Sequence, residues 1–215
     1  MIKIAPSILS ANLLNLENDV KLVDIAGVEL LHIDIMDGHY VPNITFGSNI
    51  IKSIRPITNK ILDVHLMINN VEKFINELIN SGADILTFHP ENEQNPEKII
   101  ESIKKKSCKC GIAIHPDVKI KDIFKFINLI DIINVMTVMP GFAGQKFMEN
   151  QIQKVIELKE IRKKNNLNFE IEIDGGINKE TAKICRQHGA DILVAGSYIY
   201  NSDDKNYKKL IQSLR

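Results

Sequence analysis

Four side chains of metal-ligand type fall where an alternating chain would bring them together. His32 and Asp34 lie in His32-Ile33-Asp34, His65 opens His65-Leu66-Met67, and Asp174 closes Phe169–Asp174. A strand points successive side chains to opposite faces, so His32 and Asp34, two apart, share one face. Two imidazoles and two carboxylates converging from three strand ends form a mixed nitrogen and oxygen set. Such a set suits zinc, iron, manganese or cobalt. A lone histidine is ordinarily a satisfied core residue. The four together point to one divalent ion per chain.

Glycine gives a second signal. Pro140-Gly141-Phe142-Ala143-Gly144-Gln145, Asp174-Gly175-Gly176-Ile177 and Gly196-Ser197 each follow a strand-like run. Glycine lets backbone N–H groups approach a phosphate closely, and a helix start adds a favourable dipole. One glycine pair reads as a turn. Three on consecutive strand ends point to a bound anion. That anion must be held locally, because Lys plus Arg and Asp plus Glu both count 27 and the formal net charge is zero. The balance gives no long-range attraction for nucleic acid or an anionic membrane, and neither is expected as a partner.

The elements that must position these groups are short β-branched runs alternating with longer helix-like ones. Strands are expected at Ile4–Leu9, Val28–Ile35, Ile61–Leu66, Ala83–Phe88, Cys110–Ile114, Ile132–Val138, Phe169–Asp174 and Asp191–Ala195. Helices are expected at Leu13–Ile25, Ser48–Ile54, Val71–Asn80, Pro96–Lys105, Ile120–Asn128, Glu149–Asn165, Asn178–His188 and Tyr207–Leu214. Asn12 and Asn178 are the expected N-caps, and Gly27 and Gly189 the stops. Eight such pairs make an α/β chain that closes as a single (β/α)₈ TIM barrel, expected over residues 1–215 as one catalytic domain. Active sites of such barrels lie at the C-terminal strand ends, where every group named above falls.

A hydrophobic content of 44% is ordinary for a chain that buries a core. No apolar run approaches the roughly 20 residues of a membrane helix. The opening Met1–Pro6 shows no signal-peptide pattern. Three cysteines, an odd count, suit a reducing compartment, so a cytoplasmic location is expected. Monomer and homo-oligomer both stay open. His89-Pro90 and His115-Pro116 follow the fourth and fifth strands and are read as strand-terminating turns, outside the ligand set. Cys108-Lys109-Cys110 lacks the second cysteine pair of a zinc site.

Several motifs carry a resemblance that runs collinearly through nearly the whole chain. They are Ile4-Ala5-Pro6-Ser7-Ile8-Leu9-Ser10-Ala11, His32-Ile33-Asp34-Ile35-Met36-Asp37-Gly38-His39-Tyr40-Val41-Pro42-Asn43 and Asp63-Val64-His65-Leu66-Met67. Further on come Val135-Met136-Thr137-Val138-Met139-Pro140-Gly141-Phe142-Ala143-Gly144-Gln145, Asp174-Gly175-Gly176-Ile177 and Val194-Ala195-Gly196-Ser197. Together they resemble the ribulose-phosphate 3-epimerase family. The resemblance implies His32, Asp34, His65 and Asp174 as metal ligands, with Asp34 and Asp174 exchanging protons with substrate C3 from opposite faces. It further implies substrate contacts from Ser7, His65, Gly141, Phe142, Ala143, Gly144, Asp174, Gly175, Gly176, Gly196 and Ser197. Two positions depart from the family's usual pattern: Ala143 stands where glycine is common, and Met139 where Glu, Asp or Asn is usual.

The implied activity is metal-dependent epimerisation at C3 of D-ribulose 5-phosphate to D-xylulose 5-phosphate, a step of the pentose phosphate pathway. Ala143 also resembles the related D-allulose-6-phosphate 3-epimerases, the alternative substrate reading. The C3 hydrogen of a 2-ketose phosphate is weakly acidic because its conjugate base is an enediolate, whose charge a Lewis acid stabilises. Met36, Met67 and Met136 fall at strand ends beside the site. Thioethers there would shield a planar intermediate without demanding hydrogen bonds, although spacing alone fits core filling equally well. A related barrel decarboxylase would carry Asp-x-Lys-x-x-Asp on the third strand, where this chain has Asp63-Val64-His65-Leu66-Met67-Ile68. A catalytically silent sugar-phosphate or metal-binding protein would account for the pocket, but not for the paired acid and base.

Overall fold

Aliphatic residues on both faces of short β-branched runs produce strands buried on both sides, as a parallel sheet requires. In the computed structural model, which describes residues 2–203 and 206–215, these are β1 (Lys3–Pro6), β2 (Leu30–Met36), β3 (Ile61–Met67), β4 (Ile85–Phe88), β5 (Lys109–Ile114), β6 (Ile132–Met136), β7 (Glu170–Asp174) and β8 (Ile192–Ala195). Between and after them run α1 (Leu16–Ile25), α2 (Ser48–Ile54), α3 (Ile75–Asn80), α4 (Pro96–Lys104), α5 (Ile120–Ile123), α6 (Ile152–Lys164), α7 (Lys179–His188), α8 (Ser197–Tyr200) and α9 (Tyr207–Ser213). The strands pair in parallel from β2 through β8, and β8 pairs with β1. A bridge between Ser7 and His32 and a 3.4 Å bond from Glu29 N–H to the Ile4 carbonyl bring β1 against β2. The result is a (β/α)₈ TIM barrel.

Alternation divides the core in two. Leu31, Ile33, Ile35, Val64, Leu66, Ile112, Ile133, Ile171 and Leu193 point outward into one large cluster with helix residues such as Val20, Ile51, Ile99 and Leu158. Ala5, Leu30, Ile85, Ile132, Ile192 and Val194 point inward and plug the barrel below the site. Each fully buried side chain of this kind contributes about 1.5–3 kcal/mol. Helix ends follow local chemistry. Asn178 Oδ1 accepts from Glu180 and Thr181 N–H at 2.9 and 3.0 Å, and Thr181 Oγ1 accepts from Asn178 N–H at 2.8 Å.

Several boundaries differ from expectation, each for a local reason. β1 stops at Pro6, and Ser7 caps a 3₁₀ turn (Ile8–Ser10) by accepting from Leu9 N–H at 3.4 Å. Asn12 does cap, but its turn is the 3₁₀ segment Leu13–Asn15, and α1 begins only at Leu16. β6 ends at Met136: Thr137 N–H makes the last rung to the Asp174 carbonyl at 2.8 Å. Beyond it the Thr137 hydroxyl caps the Asp174 and Gly175 carbonyls at 3.0 and 2.6 Å, where Gly175, with a φ of +117°, turns β7 out of the sheet. The runs Val71–Asn80 and Ile120–Asn128 break into 3₁₀ and short α pieces. The short helix α8 after Gly196 was not expected.

Candidate active site

The ladder between β2 and β3 sets Asp34 opposite His65 and His32 opposite Asp63. The ladder between β6 and β7 sets Asp174 opposite Met136. With the barrel closed, His32, Asp34, His65 and Asp174 come together at its mouth, each offering one ligand atom within 4.8 Å of the others. They alternate around a ring. His32 Nε2 lies 3.4 Å from Asp34 Oδ1 and 3.5 Å from Asp174 Oδ2, and His65 Nδ1 lies 3.4 and 3.3 Å from the same two oxygens. Ligands bound tetrahedrally at about 2.0–2.1 Å stand about 3.4 Å apart, the spacing of this ring's sides.

The donors fit a cation on two further grounds. Among the described residues His32 Nε2 and His65 Nδ1 have no hydrogen-bond partner although both are fully buried, a state that costs about 1–3 kcal/mol per group unless a ligand satisfies it. The charges also call for one. Burial alone would lower the histidines, yet the carboxylates beside them hold His32 well above, and His65 above, the ordinary imidazole value. Burial alone would raise Asp34 and Asp174, yet the two imidazoles hold both below the ordinary carboxylate range. Both tendencies favour positive charge at the centre of the ring. The four residues can therefore hold a metal ion.

A shell of supporting groups fixes the ring. Ser7 Oγ donates to Asp34 Oδ2 at 2.6 Å, leaving Oδ1 to face the imidazoles. His32 Nδ1 bonds Asp63 Oδ2 at 2.7 Å, which keeps a hydrogen on Nδ1 and leaves Nε2 as the nitrogen that can bind a cation. Glu172 lies 4.0 Å from His32 Nδ1, and burial followed by the Asp63 charge raises its carboxyl well above the usual range. His65 Nε2 meets His89 Nε2 at 2.9 Å. His89 is therefore no mere turn residue, as the sequence suggested; it is 2% exposed and packed against a ring member. His115 does serve its turn, accepting from Asp117 N–H at 3.2 Å.

Asp63 and Glu172 were missed although the signal was present. Each lies two residues before a ring member, His65 and Asp174, and so on the same inward face. His89, beyond Thr87 at the end of β4, was hidden by the proline after it.

Above the ring opens a cavity lined by Ser7, Asp34 and Asp174 on its floor and by Met36, Met67 and Met136 beside them. The three methionines are almost wholly buried, and Met36 and Met67 pack with Val41. The opposite wall holds every expected glycine segment: Gly141, Phe142, Ala143 and Gly144, then Gly175 and Gly176, then Gly196 and Ser197. Met139 is not part of that lining. Gly176 is demanded by the fold itself: its φ is +66°, and a Cβ there would stand 2.7 Å from the Phe147 backbone. Asn43 Nδ2 donates to the Gly141 carbonyl at 2.7 Å, tying the loop after β2 to the loop after β6. Cys108, Cys110 and Cys185 are buried away from the cavity. No helix among the described residues is long and apolar enough to cross a membrane.

The chain matches the sequence profile of the Ribulose-phosphate 3 epimerase family over residues 3–200. It is 43% identical to the ribulose-phosphate 3-epimerase of Bacillus subtilis (strain 168), covering 100% of this chain and 99% of that protein. It is 41% identical to the enzyme of the same name from Methanocaldococcus jannaschii, covering 100% and 90%. With the chloroplastic ribulose-5-phosphate-3-epimerase of Arabidopsis thaliana it shares 37% identity over 99% of this chain and 75% of that one. Among solved structures, a tryptophan synthase alpha-subunit mutant from Pyrococcus furiosus superposes with a TM-score of 0.73 at 13% identity, covering 100% and 99% of the two chains. That likeness is one of fold alone.

Proposed function

The chain belongs to the ribulose-phosphate 3-epimerase family, whose members are isomerases of pentose phosphates, and from that premise we propose a metal-dependent, two-base inversion at C3 of D-ribulose 5-phosphate to give D-xylulose 5-phosphate. The observation that carries this reading is the ring of four donors under a cavity with a glycine-lined wall. His32, Asp34, His65 and Asp174 would hold one zinc, iron, manganese or cobalt ion, whose Lewis acidity stabilises the negative charge left when C3 loses its proton.

Asp34 and Asp174 reach the cavity from β2 and β7, three steps apart around the barrel through β1 and β8. A ligand lying between them offers one face of C3 to each. One carboxylate removes the C3 proton, and the other returns a different proton to the opposite face. The two carboxyls thus exchange protonation states at every turnover. Ser7 orients Asp34 through its 2.6 Å bond. Met36, Met67 and Met136 exclude water around the planar enediolate without offering hydrogen bonds that would compete for its charge.

The phosphate is assigned to the glycine wall, with contacts from Gly141–Gly144, Gly175, Gly176, Gly196 and Ser197. Among the described residues the backbone N–H groups of Gly176 and Ser197 have no hydrogen-bond partner, which leaves them free for an anion. The test compares turnover of the metal-loaded protein on D-ribulose 5-phosphate and D-allulose 6-phosphate. Preference for the pentulose is expected. Turnover of the hexulose alone would replace the substrate assignment and leave the two-base chemistry standing.

A further inference from the structure

His65 faces two ways. Its Nδ1 closes the ring at 3.4 and 3.3 Å from Asp34 and Asp174, and its Nε2 stands 2.9 Å from Nε2 of His89. Two imidazole nitrogens at that distance share a single hydrogen, so one ring donates and the other accepts. Beyond His89, its Nδ1 lies 2.8 Å from the Tyr40 hydroxyl and 3.1 Å from Glu91 Oε1. The Tyr40 hydroxyl donates to that same Glu91 oxygen at 2.8 Å. The Tyr40 and His89 rings pack at 4.5 Å between centroids, and the His89 and His65 rings at 5.1 Å, so the three are locked side by side.

We propose that Glu91, Tyr40 and His89 form a positioning relay that holds neutral His65 in the tautomer with its hydrogen on Nε2, so that Nδ1 presents a lone pair to the metal ring. The direction of the relay is set at its outer end. An ionised Glu91 only accepts, and it already takes the Tyr40 hydrogen, so the Tyr40 oxygen is left as an acceptor too. Both neighbours of His89 Nδ1 therefore require a hydrogen on that nitrogen. A neutral His89 then has a lone pair on Nε2, and the hydrogen between the two rings belongs to His65. Reversing the relay would set the His89 Nδ1 lone pair against a carboxylate oxygen 3.1 Å away. It would also move the His65 hydrogen to Nδ1, where it blocks the ring. The other ring histidine obtains the same result in one step, since Asp63 bonds His32 Nδ1 at 2.7 Å and frees Nε2. His65 has no carboxylate of its own on Nε2, and a second histidine transmits the effect of one. None of the three residues touches the reacting atoms; they act through His65.

The inference rests on the metal reading above, and the experiment separates the two. Cobalt(II) affinity and the visible spectrum of the bound ion would be measured for the wild type and for His89→Leu, His89→Gln, Glu91→Gln and Tyr40→Phe. Imidazole ¹⁵N shifts would report the His65 tautomer in the metal-free wild type at a pH where its ring is neutral, and again after zinc is added. The wild type should show Nε2–H at His65 in both states. His89→Leu should bind cobalt about 10–100-fold more weakly, the usual loss when a partner of a metal ligand is removed. His89→Gln, whose amide oxygen can still accept from His65, should recover much of that loss, which a purely space-filling role would not predict. Tyr40→Phe keeps the direct bond from His89 to Glu91 and should cost least. If the wild type itself binds no divalent ion, the metal reading and the relay fall together. If the wild type binds cobalt and both His89→Leu and Glu91→Gln bind it equally well, the relay alone is wrong. Should His89→Leu not fold, a neutral His65 carrying its hydrogen on Nδ1 in the metal-free wild type would overturn the relay by itself.

Discussion

The ring residues sit on β2, β3 and β7 with their neighbours fixed by strand ladders and buried hydrogen bonds, whereas the glycine wall hangs on turns at the same mouth. Asp34 is held by Ser7 at 2.6 Å and His32 by Asp63 at 2.7 Å. Across the cavity Phe142 is 56% exposed, and the loop around it is tied by Gln145 Nε2 to the Met139 and Phe142 carbonyls at 2.6 and 2.8 Å and by Asn43 Nδ2 to the Gly141 carbonyl at 2.7 Å. The contrast follows the work each region is assigned. Proton transfer and metal binding need atoms placed to a fraction of an ångström, which rigid strands and a second layer of partners supply. Grasping a phosphate needs N–H groups that can close around it, and loops on a rigid frame allow that.

Four outcomes would sharpen or break this contrast. The largest effect falls on the ring. Chelation, or His32→Ala or His65→Ala, should remove the ion and abolish turnover, and an active preparation shown metal-free by elemental analysis would end the metal reading. Next, Asp34→Asn and Asp174→Asn keep shape but cannot accept a proton, and each should slow epimerisation by about 10²–10⁴-fold. Metal content must be matched before rates are compared, because both are also ring members. C3 exchange with D₂O should then persist for one epimer in each variant, opposite epimers in the two. A near wild-type rate in either variant would require a one-base mechanism.

A smaller loss is expected at the wall. Gly176→Ala forces a Cβ within 2.7 Å of the Phe147 backbone at a φ of +66°, and should lower stability by about 1–3 kcal/mol. Gly144 also has a positive φ, +75°, but nothing lies within 4 Å of a Cβ placed there. Gly144→Ala should therefore cost only about 1 kcal/mol, the conformational penalty alone. Equal losses of thermal stability in the two variants would mean that the wall is not set by close packing at Gly176.

The smallest effect is one of pH on the chelated protein. His32 and His65 are held above the ordinary 6.5, so their contribution to stability is complete below that value and is lost as pH rises through the elevated folded-state values. Asp34 and Asp174 are held below 3.8, so their contribution is present above that value and is lost as pH falls through the depressed ones. The melting temperature of chelated protein should fall on the alkaline side of neutrality. Metal-loaded protein, whose histidines are already neutral ligands, should not follow it. Parallel curves would place the titrating groups elsewhere.

Much of this was legible without coordinates. The period-two alternation that buries Leu31, Ile33 and Ile35 outward is the same alternation that turns His32 and Asp34 inward, and both were readable from one stretch of chain. The glycine segments were readable because a turn after a strand needs residues that tolerate a positive φ. Boundaries were less so: the hydrophobic period of Val71–Asn80 does not distinguish one α-helix from a 3₁₀ turn followed by a short one. Fold class, the four ring residues and the wall were thus determined by local pattern and by the family resemblance those motifs carry.

Which groups stand behind the ring was decided only by tertiary structure. Register places His32 beside Asp63, and the ladder that lays β4 against β3 brings His89, just past the end of β4, to His65. Tyr40 and Glu91 meet His89 from the loops after β2 and β4, 49 and 2 residues away along the chain. Nothing in a sequence of residue types distinguishes a histidine before a proline that ends a strand from one that also fixes a ligand's tautomer. That difference is a 2.9 Å contact between residues 24 apart in sequence, and such contacts arise only when the ladder and the closure of the sheet have fixed where each strand end lies.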